Sequence, residues 1–288
     1  MRVGLHALGI GTGARPDIIS AVARRAEERG FATLWSGEHV VMVDDPASPY
    51  PYTEDGKIAV PAAADWLDPM ITLSFAAAAT STIRLGTGVV LLPEHNPVIM
   101  AKQVASLDRL SGGRLTFGVG IGWSREEFDA LGIPFERRAA RTVRYLDAMR
   151  TLWRADGGPA SYESEFVGFD RIRVNPSPSQ DPLPIVFGGN SDQALKRVAE
   201  LGDGWYGFNL DGIAAVDERM RRLGQACTVA GRGIDELQVA VALREPNVDD
   251  LPSLAALGVT ELVIVDSPPA SVSEVSPWVD QLADTWIP

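Results

Sequence analysis

Pro184-Ile185-Val186-Phe187-Gly188-Gly189-Asn190-Ser191-Asp192-Gln193-Ala194-Leu195-Lys196-Arg197-Val198-Ala199-Glu200-Leu201-Gly202 holds one complete structural unit. The apolar run 185–187 reads as a strand buried on both faces, as in a parallel sheet. Two glycines then turn the chain, and Ser191 or Asn190 caps a helix with Ala194, Leu195 and Val198 on one stripe, which Gly202 ends. The same sequence of events recurs along the chain. Strands are predicted over 2–6, 33–35, 84–91, 115–120, 185–187, 204–207, 237–243 and 261–265. Helical patterns follow over 16–29, 69–80, 97–110, 137–154, 191–201, 212–230, 250–257 and 271–285. Pro16, Asp68-Pro69 and Asn96-Pro97 mark helix starts, and Gly30 marks an end. Eight βα units in 288 residues predict an α/β fold, a (β/α)8 TIM barrel, as one domain.

Composition narrows the function classes. The chain is 45% hydrophobic and 22% charged, with a formal net charge of −12, which speaks against a nucleic-acid surface and for a small-molecule partner. Lys occurs only at 57, 102 and 196, so the basic residues are nearly all Arg. No apolar run reaches the roughly 20 residues of a membrane helix, and the start Met1-Arg2-Val3-Gly4-Leu5 lacks a signal-peptide pattern, so a cytoplasmic location is expected. Cys227 has no partner for a disulfide and reads as a packing residue.

Two segments exceed a minimal barrel. Residues 44–66 carry four prolines with Tyr50, Tyr52 and Trp66, and are expected to form a lid over substrate. Residues 157–184 form an insertion before strand five, where 162–166 and 171–174 are expected to pair as a hairpin.

In a barrel, the ends of the strands converge on one mouth. His39 follows strand two with Glu38 beside it. An imidazole there can pass a proton, and Glu38 is the candidate to orient it, although adjacent extended residues point to opposite sides. His6 ends strand one, and His95 follows strand three in Pro93-Glu94-His95-Asn96-Pro97. Three dispersed histidines without a cysteine cluster offer no metal-ligand spacing, and no metal is expected. Gly188, Gly189, Asn190 and Ser191 form a strand-to-helix turn whose amides and helix dipole favour a phosphate. Gly118-Val119-Gly120-Ile121-Gly122-Trp123 leaves strand four bare, so that a flat ring can approach the backbone. Gly86-Thr87-Gly88 in strand three is expected to bulge and present backbone to a ligand. Gly9-Ile10-Gly11-Thr12-Gly13-Ala14 also matches a dinucleotide fingerprint with Glu38 as its acid, a competing reading that the following βα units disfavour.

The segments Leu34-Trp35-Ser36-Gly37-Glu38-His39, Ile83-Arg84-Leu85-Gly86-Thr87-Gly88-Val89, Asn96-Pro97, Ser111-Gly112-Gly113-Arg114-Leu115, Gly118 to Trp123, Phe187 to Ser191 and Gly202-Asp203-Gly204-Trp205 together resemble the luciferase-like monooxygenase superfamily, and within it the branch that depends on the deazaflavin coenzyme F420. The resemblance implies F420, or FMN as the alternative, at the C-terminal mouth. It further implies a non-prolyl cis peptide at Gly88-Val89 buttressing the ring, a phosphate on Gly188 to Ser191, His39 at the reacting end as acid or base, and a homodimer. Gly120 and Gly122 line the same cofactor site. Where sugar-phosphate-oxidising relatives have a carboxylate after the strand-four glycines, this chain has Trp123. The nearest acids, Glu126 and Glu127, lie about a helical turn on, so that role is not carried over. Trp66, Trp123, Tyr50 and Tyr52 are the candidate substrate wall, which suits an apolar or aromatic substrate. Two further readings stay open: a two-component FMN monooxygenase supplied by a partner reductase, flavin or F420 reductase being the redox partner, and a cofactor-binding barrel without turnover.

Overall fold

The strands of the computed structural model, which describes residues 1–287, form a closed parallel ring. It contains β1 (Arg2–His6), β2 (Thr33–Ser36), β3 (Arg84–Thr87) with its continuation β4 (Val90–Leu91), and β5 (Leu115–Gly120). After the outlying hairpin β6 (Ala160–Glu163) and β7 (Gly168–Ile172) come β8 (Ile185–Gly188), β9 (Gly204–Leu210), β10 (Gln238–Leu243) and β11 (Glu261–Val265). Hydrogen bonding runs β3-β2-β1-β11-β10-β9-β8-β5, and β5 pairs back to β3 to close the ring. With β3 and β4 taken as one interrupted strand, this is the predicted eight-stranded barrel.

The helices are α1 (Pro16–Glu28), α2 (Pro69–Ala79), α3 (Pro97–Leu110), α4 (Arg125–Ala130), α5 (Arg138–Arg154), α6 (Asp192–Leu201), α7 (Gly212–Ala230), α8 (Leu251–Ala256) and α9 (Val272–Trp286). Their starts follow the capping chemistry. Asp68 accepts from the Ile71 amide at 2.9 Å, Asn96 from Val98 and Ile99, and Ser191 from Ala194 at 3.2 Å. Among the described residues no helix is long and apolar enough to cross a membrane. Cys227 is buried on α7.

Two layers of packing result. The large core lies between ring and helices and includes Leu5, Leu34, Leu85, Leu115, Phe117 and Phe187. A smaller cluster of Trp35, Val186, Tyr206, Ala240, Ala242 and Val263 forms a second core, against which Val89 and Phe208 pack. Gly86 is explained by this second layer: a Cβ there would stand 2.7 Å from Trp35 Cδ2, so the glycine makes room for the indole. The Trp35 Nε1 donates to buried Glu261 at 2.8 Å. The block Ser111 to Leu115 is a brace, in which the Arg114 guanidinium donates to the carbonyls of Ala77, Ile83 and Ser111.

Three expectations need correction. The strand over 84–91 is interrupted at Gly88–Val89, whose peptide bond is cis, and resumes as β4. A helix, α4, precedes α5, because Ser124 caps it by accepting from the Glu127 amide at 3.3 Å. The hairpin forms, but over 160–163 and 168–172, because Ser164 Oγ accepts from the amides of Phe166 and Val167 and turns the chain earlier. The disfavoured dinucleotide fingerprint falls on Gly11–Ala14, a 3-10 turn tied to the Pro268 carbonyl through Thr12.

Candidate active site

A cavity of about 730 Å³ opens at the C-terminal ends of the barrel strands. It is lined by His6 from β1, Gly37 to His39 after β2, Gly88 and Val89, Gly120 at the end of β5, and Gly188 at the end of β8. The nominated His39, Glu38, Gly88, Val89, Gly120, Gly122, Gly188 to Ser191, Tyr50, Tyr52, Trp66 and Trp123 border it, whereas Gly86, Thr87 and Gly118 do not.

His39 stands edge-on to Trp66 and Trp123, with ring centroids 4.9 and 5.8 Å away. Its Nδ1 lies 2.9 Å from Glu127 Oε2. A carboxylate only accepts, so Nδ1 carries the proton, and in the neutral ring Nε2 keeps its lone pair. The other carboxylate oxygen of Glu127 accepts from the Val40 amide at 2.7 Å and the Val41 amide at 3.2 Å. Glu127 therefore fixes both the ring and the loop that carries it.

Glu38 does not orient His39. Although it borders the cavity, its Oε2 accepts from the Leu91 amide at 2.6 Å and lies 3.0 Å from His95 Nε2. Neighbouring extended residues face opposite ways, which sends the two side chains to different partners. Burial resists charging of the His95 ring, but the Glu38 carboxylate overcomes it and raises the pKa. His6 behaves differently: burial lowers its pKa to about 4, and its neutral ring bonds the Tyr206 hydroxyl at 2.8 Å. Among the described residues no group of three or more His, Cys, Asp or Glu side chains is arranged to hold a metal ion.

Gly88 and Val89 form a shelf in the wall. A Cβ on Gly120 would stand 2.6 Å from Val89 Cγ2, and one on Gly188 would stand 3.0 Å from Val89 Cγ1, so both glycines seat the valine. The bare strand-four positions thus serve packing as well as approach to the backbone. Gly189 has φ +98 and precedes Ser191, the cap of α6.

From residues 44–66, Tyr50 to Thr53, Ile58 to Val60 and Trp66 line this cavity. Tyr50 packs edge-on against Tyr52 and Trp123, at 5.3 and 5.2 Å, and Tyr52 against Phe208 at 5.6 Å. The segment is tied down at several points. Glu126 accepts from the amides of Ala47 and Ser48, Asn209 donates to the Tyr52 carbonyl, and the Trp66 indole donates to the Gly37 carbonyl.

Arg138 and Arg197 also line the cavity and were not foreseen. Arg138 donates to the Gly122 carbonyl and covers the Phe135 ring at 3.8 Å, and neither arginine is in an ion pair among the described residues. Burial, then the charge of Arg138, lowers the pKa of Arg197, yet a guanidinium stays cationic. Arg197 follows the α6 cap by six residues, so a helical stripe from Ser191 through Ala194 was the signal that could have found it. For Glu127, the signal was Ser124-x-x-Glu127, the pattern that opens a helix. Arg138 had no comparable signal.

Comparison with known proteins agrees with this geometry. A family model described as luciferase-like monooxygenase matches residues 3–252. An uncharacterised protein of Mycobacterium tuberculosis is 37% identical over 266 residues, 92% of each chain. An FMNH2-dependent dimethylsulfone monooxygenase of Pseudomonas putida is 32% identical over 158 residues, 52% of this chain and 43% of its own. The structure of coenzyme F420-dependent tetrahydromethanopterin reductase from Methanopyrus kandleri superposes with a TM-score of 0.74 at 19% identity, covering 100% of this chain and 98% of that one.

Proposed function

This chain belongs to the luciferase-like monooxygenase family, and we propose that it is an F420-dependent oxidoreductase acting on an apolar or aromatic organic substrate. The observation that carries the reading is His39, held by Glu127 and bordering a large aromatic cavity beside the Gly88–Val89 shelf. The residues present fit a flat, anionic cofactor. Gly120 and Gly188 keep Val89 in the wall, and the start of α6 together with Arg138 and Arg197 supplies the positive end. Bound there, a deazaflavin supplies hydride donation or acceptance at its central ring.

The protein's own part is proton handling and exclusion of water. His39 Nε2 takes a proton from a substrate hydroxyl, or returns one to a carbonyl, while the Glu127 carboxylate stabilises the imidazolium. Tyr50, Tyr52, Trp66 and Trp123 form the substrate wall and offer no charged group, which disfavours anionic substrates. Glu38 supports the site from outside the reaction by anchoring Leu91 and His95.

A second reading, an FMN-dependent monooxygenase served by a separate reductase, is favoured by the likeness to the dimethylsulfone monooxygenase. We also propose a homodimer, because α2 carries no charged residue and its outer face leaves Ile71 60% and Phe75 49% exposed, with Ile99 of α3 59% exposed. The function is tested by following reduced and oxidised F420 against a panel of aromatic and aliphatic ketones, enones and alcohols. Turnover by the wild type that His39→Ala loses while still binding F420 supports the reading. Absence of turnover across the panel together with tight F420 binding points to a non-catalytic carrier.

A further inference from the structure

Two buried titratable groups take no part in this proton transfer. Glu94 closes the 3-10 turn Leu92–Glu94 after β4, and both of its carboxyl oxygens are buried without a hydrogen-bond partner, so they reach no ligand. Burial, then the charges of Glu127 and Glu38, push its pKa up to about 9. His6, at the end of β1, is placed differently: its ring lines the cavity.

The partner of His6 decides which nitrogen carries the hydrogen. Nδ1 stands 2.8 Å from the hydroxyl of Tyr206 on β9. Tyr206 is 1% exposed, its ring packs 4.8 Å from Trp35, and among the described residues its hydroxyl has no partner but His6. Burial raises the pKa of Tyr206 well above its ordinary value, so the hydroxyl keeps its hydrogen. A buried donor left unpaired is costly, and Nδ1 is the acceptor at hand. The neutral ring therefore carries its own hydrogen on Nε2. This is the opposite tautomer to that of His39, whose Nδ1 faces the Glu127 carboxylate.

His6 Nε2 has no partner among the described residues, yet it is not sealed off as the Glu94 oxygens are. Two glycines of the cavity wall leave this edge of the ring open. A Cβ on Gly37 would stand 3.3 Å from Nε2, and one on Gly88 would stand 3.3 Å from His6 Cε1 and 3.4 Å from Tyr206 Cζ. The His6–Tyr206 pair thus adjoins the Gly88–Val89 shelf.

We propose that His6 is a further cofactor-binding residue, whose Nε2–H, fixed in that tautomer by Tyr206, donates a hydrogen bond to a carbonyl oxygen or ring nitrogen of the flat heterocycle seated on the shelf. The inference rests on the reading that this cavity holds a deazaflavin or flavin. The cavity then carries two imidazoles with opposite tasks: His39 Nε2 offers a lone pair to the substrate proton, and His6 Nε2 offers a hydrogen to the heterocycle. Burial lowers the pKa of His6 to about 4, so at neutral pH it is an uncharged donor. Such a donor favours whichever form of the ring holds more negative charge.

The test is nuclear magnetic resonance of the histidine ring nitrogens, first in the ligand-free protein and then with saturating F420 or FMN. The three histidines give a small set of signals. Ligand-free His6 should be neutral with its proton on Nε2, and Tyr206→Phe should release the second tautomer. A proton on Nδ1 of wild-type His6 overturns the proposal. On binding of either ligand the His6 Nε2–H signals should shift. FMN and riboflavin share the heterocycle, so His6→Phe should weaken both equally, by roughly twofold to tenfold. His6→Gln, which keeps an N–H near the Nε2 position, should recover part of that loss. Unchanged affinity in His6→Phe overturns the proposal, and if the variants do not fold, the wild-type spectra decide it. Binding of neither F420 nor FMN to the wild type overturns the cofactor reading and the role of His6 with it, whereas binding without the His6 shift overturns the role of His6 alone.

Discussion

His39 and Glu127 are 88 residues apart in the chain, yet Nδ1 and Oε2 stand 2.9 Å from each other. The carboxylate is held in turn by two backbone amides of the His39 loop, so ring, loop and α4 form one unit.

Replacing Glu127 separates the chemical from the structural part of that unit. Glu127→Gln presents an amide NH2 or a carbonyl to His39 and removes the charge that stabilises its imidazolium. Turnover should fall by about 10² to 10⁴ while cofactor binding persists. Glu127→Ala also leaves the Val40 and Val41 amides without an acceptor, which should cost about 1–3 kcal/mol in a urea unfolding titration. Equal activity in Glu127→Gln and the wild type would refute the orienting role.

Stability should depend on pH through Glu94. Its folded pKa of about 9 lies above the ordinary 4.5, so between these values the folded protein holds a proton that the unfolded chain has released. Stability from this group is therefore present at low pH and is lost as pH rises through that window. Glu94→Gln lacks the titration, so its stability relative to the wild type should rise from about pH 4.5 to about pH 9 and then level off. Paired denaturant titrations across the range check the sign, and a constant difference contradicts it.

Arg138 and Arg197 should act on the anionic end of the cofactor alone. Charge-assisted hydrogen bonds contribute about 1.5–3 kcal/mol each, so Arg138→Gln or Arg197→Gln should weaken FMN binding roughly tenfold to a hundredfold. Binding of riboflavin, which lacks the phosphate, should be unchanged. Equal losses for both ligands would place the arginines elsewhere in the binding process.

The outer face of α2 predicts the assembly. Introducing charge with Phe75→Asp should lower the mass measured by sedimentation while the circular dichroism of the barrel is retained. A wild type that sediments as a single chain would remove the premise.

The barrel was legible because most strands are nearly continuous apolar runs and many helices are punctuated locally by Pro, Asp, Asn, Ser or Gly. The cavity lining was legible for a related reason: His39, Gly88 and Gly188 sit at strand ends, and the topology brings strand ends together. What was not legible depended on side chains meeting across the fold. Glu38 was the neighbour of His39 in sequence, but Glu127 is its neighbour in space, on a six-residue helix whose cap was visible while its direction was not. Glu94 carried no signal, because burial, unlike polarity, cannot be read from Pro93-Glu94-His95. Gly86 read as a ligand-facing bulge, whereas the bulky Trp35 on the adjacent strand is what it accommodates.

The cavity beside His39 is proposed to hold a deazaflavin. Parallel titrations of the purified protein with F420 and with FMN, read by quenching of tryptophan fluorescence, test it most directly, since Trp66 and Trp123 line that cavity. Saturable F420 binding at micromolar or lower concentration is expected, with FMN binding clearly weaker. Tighter binding of FMN would move the protein to the reductase-coupled monooxygenases, and binding of neither would contradict the cofactor assignment itself.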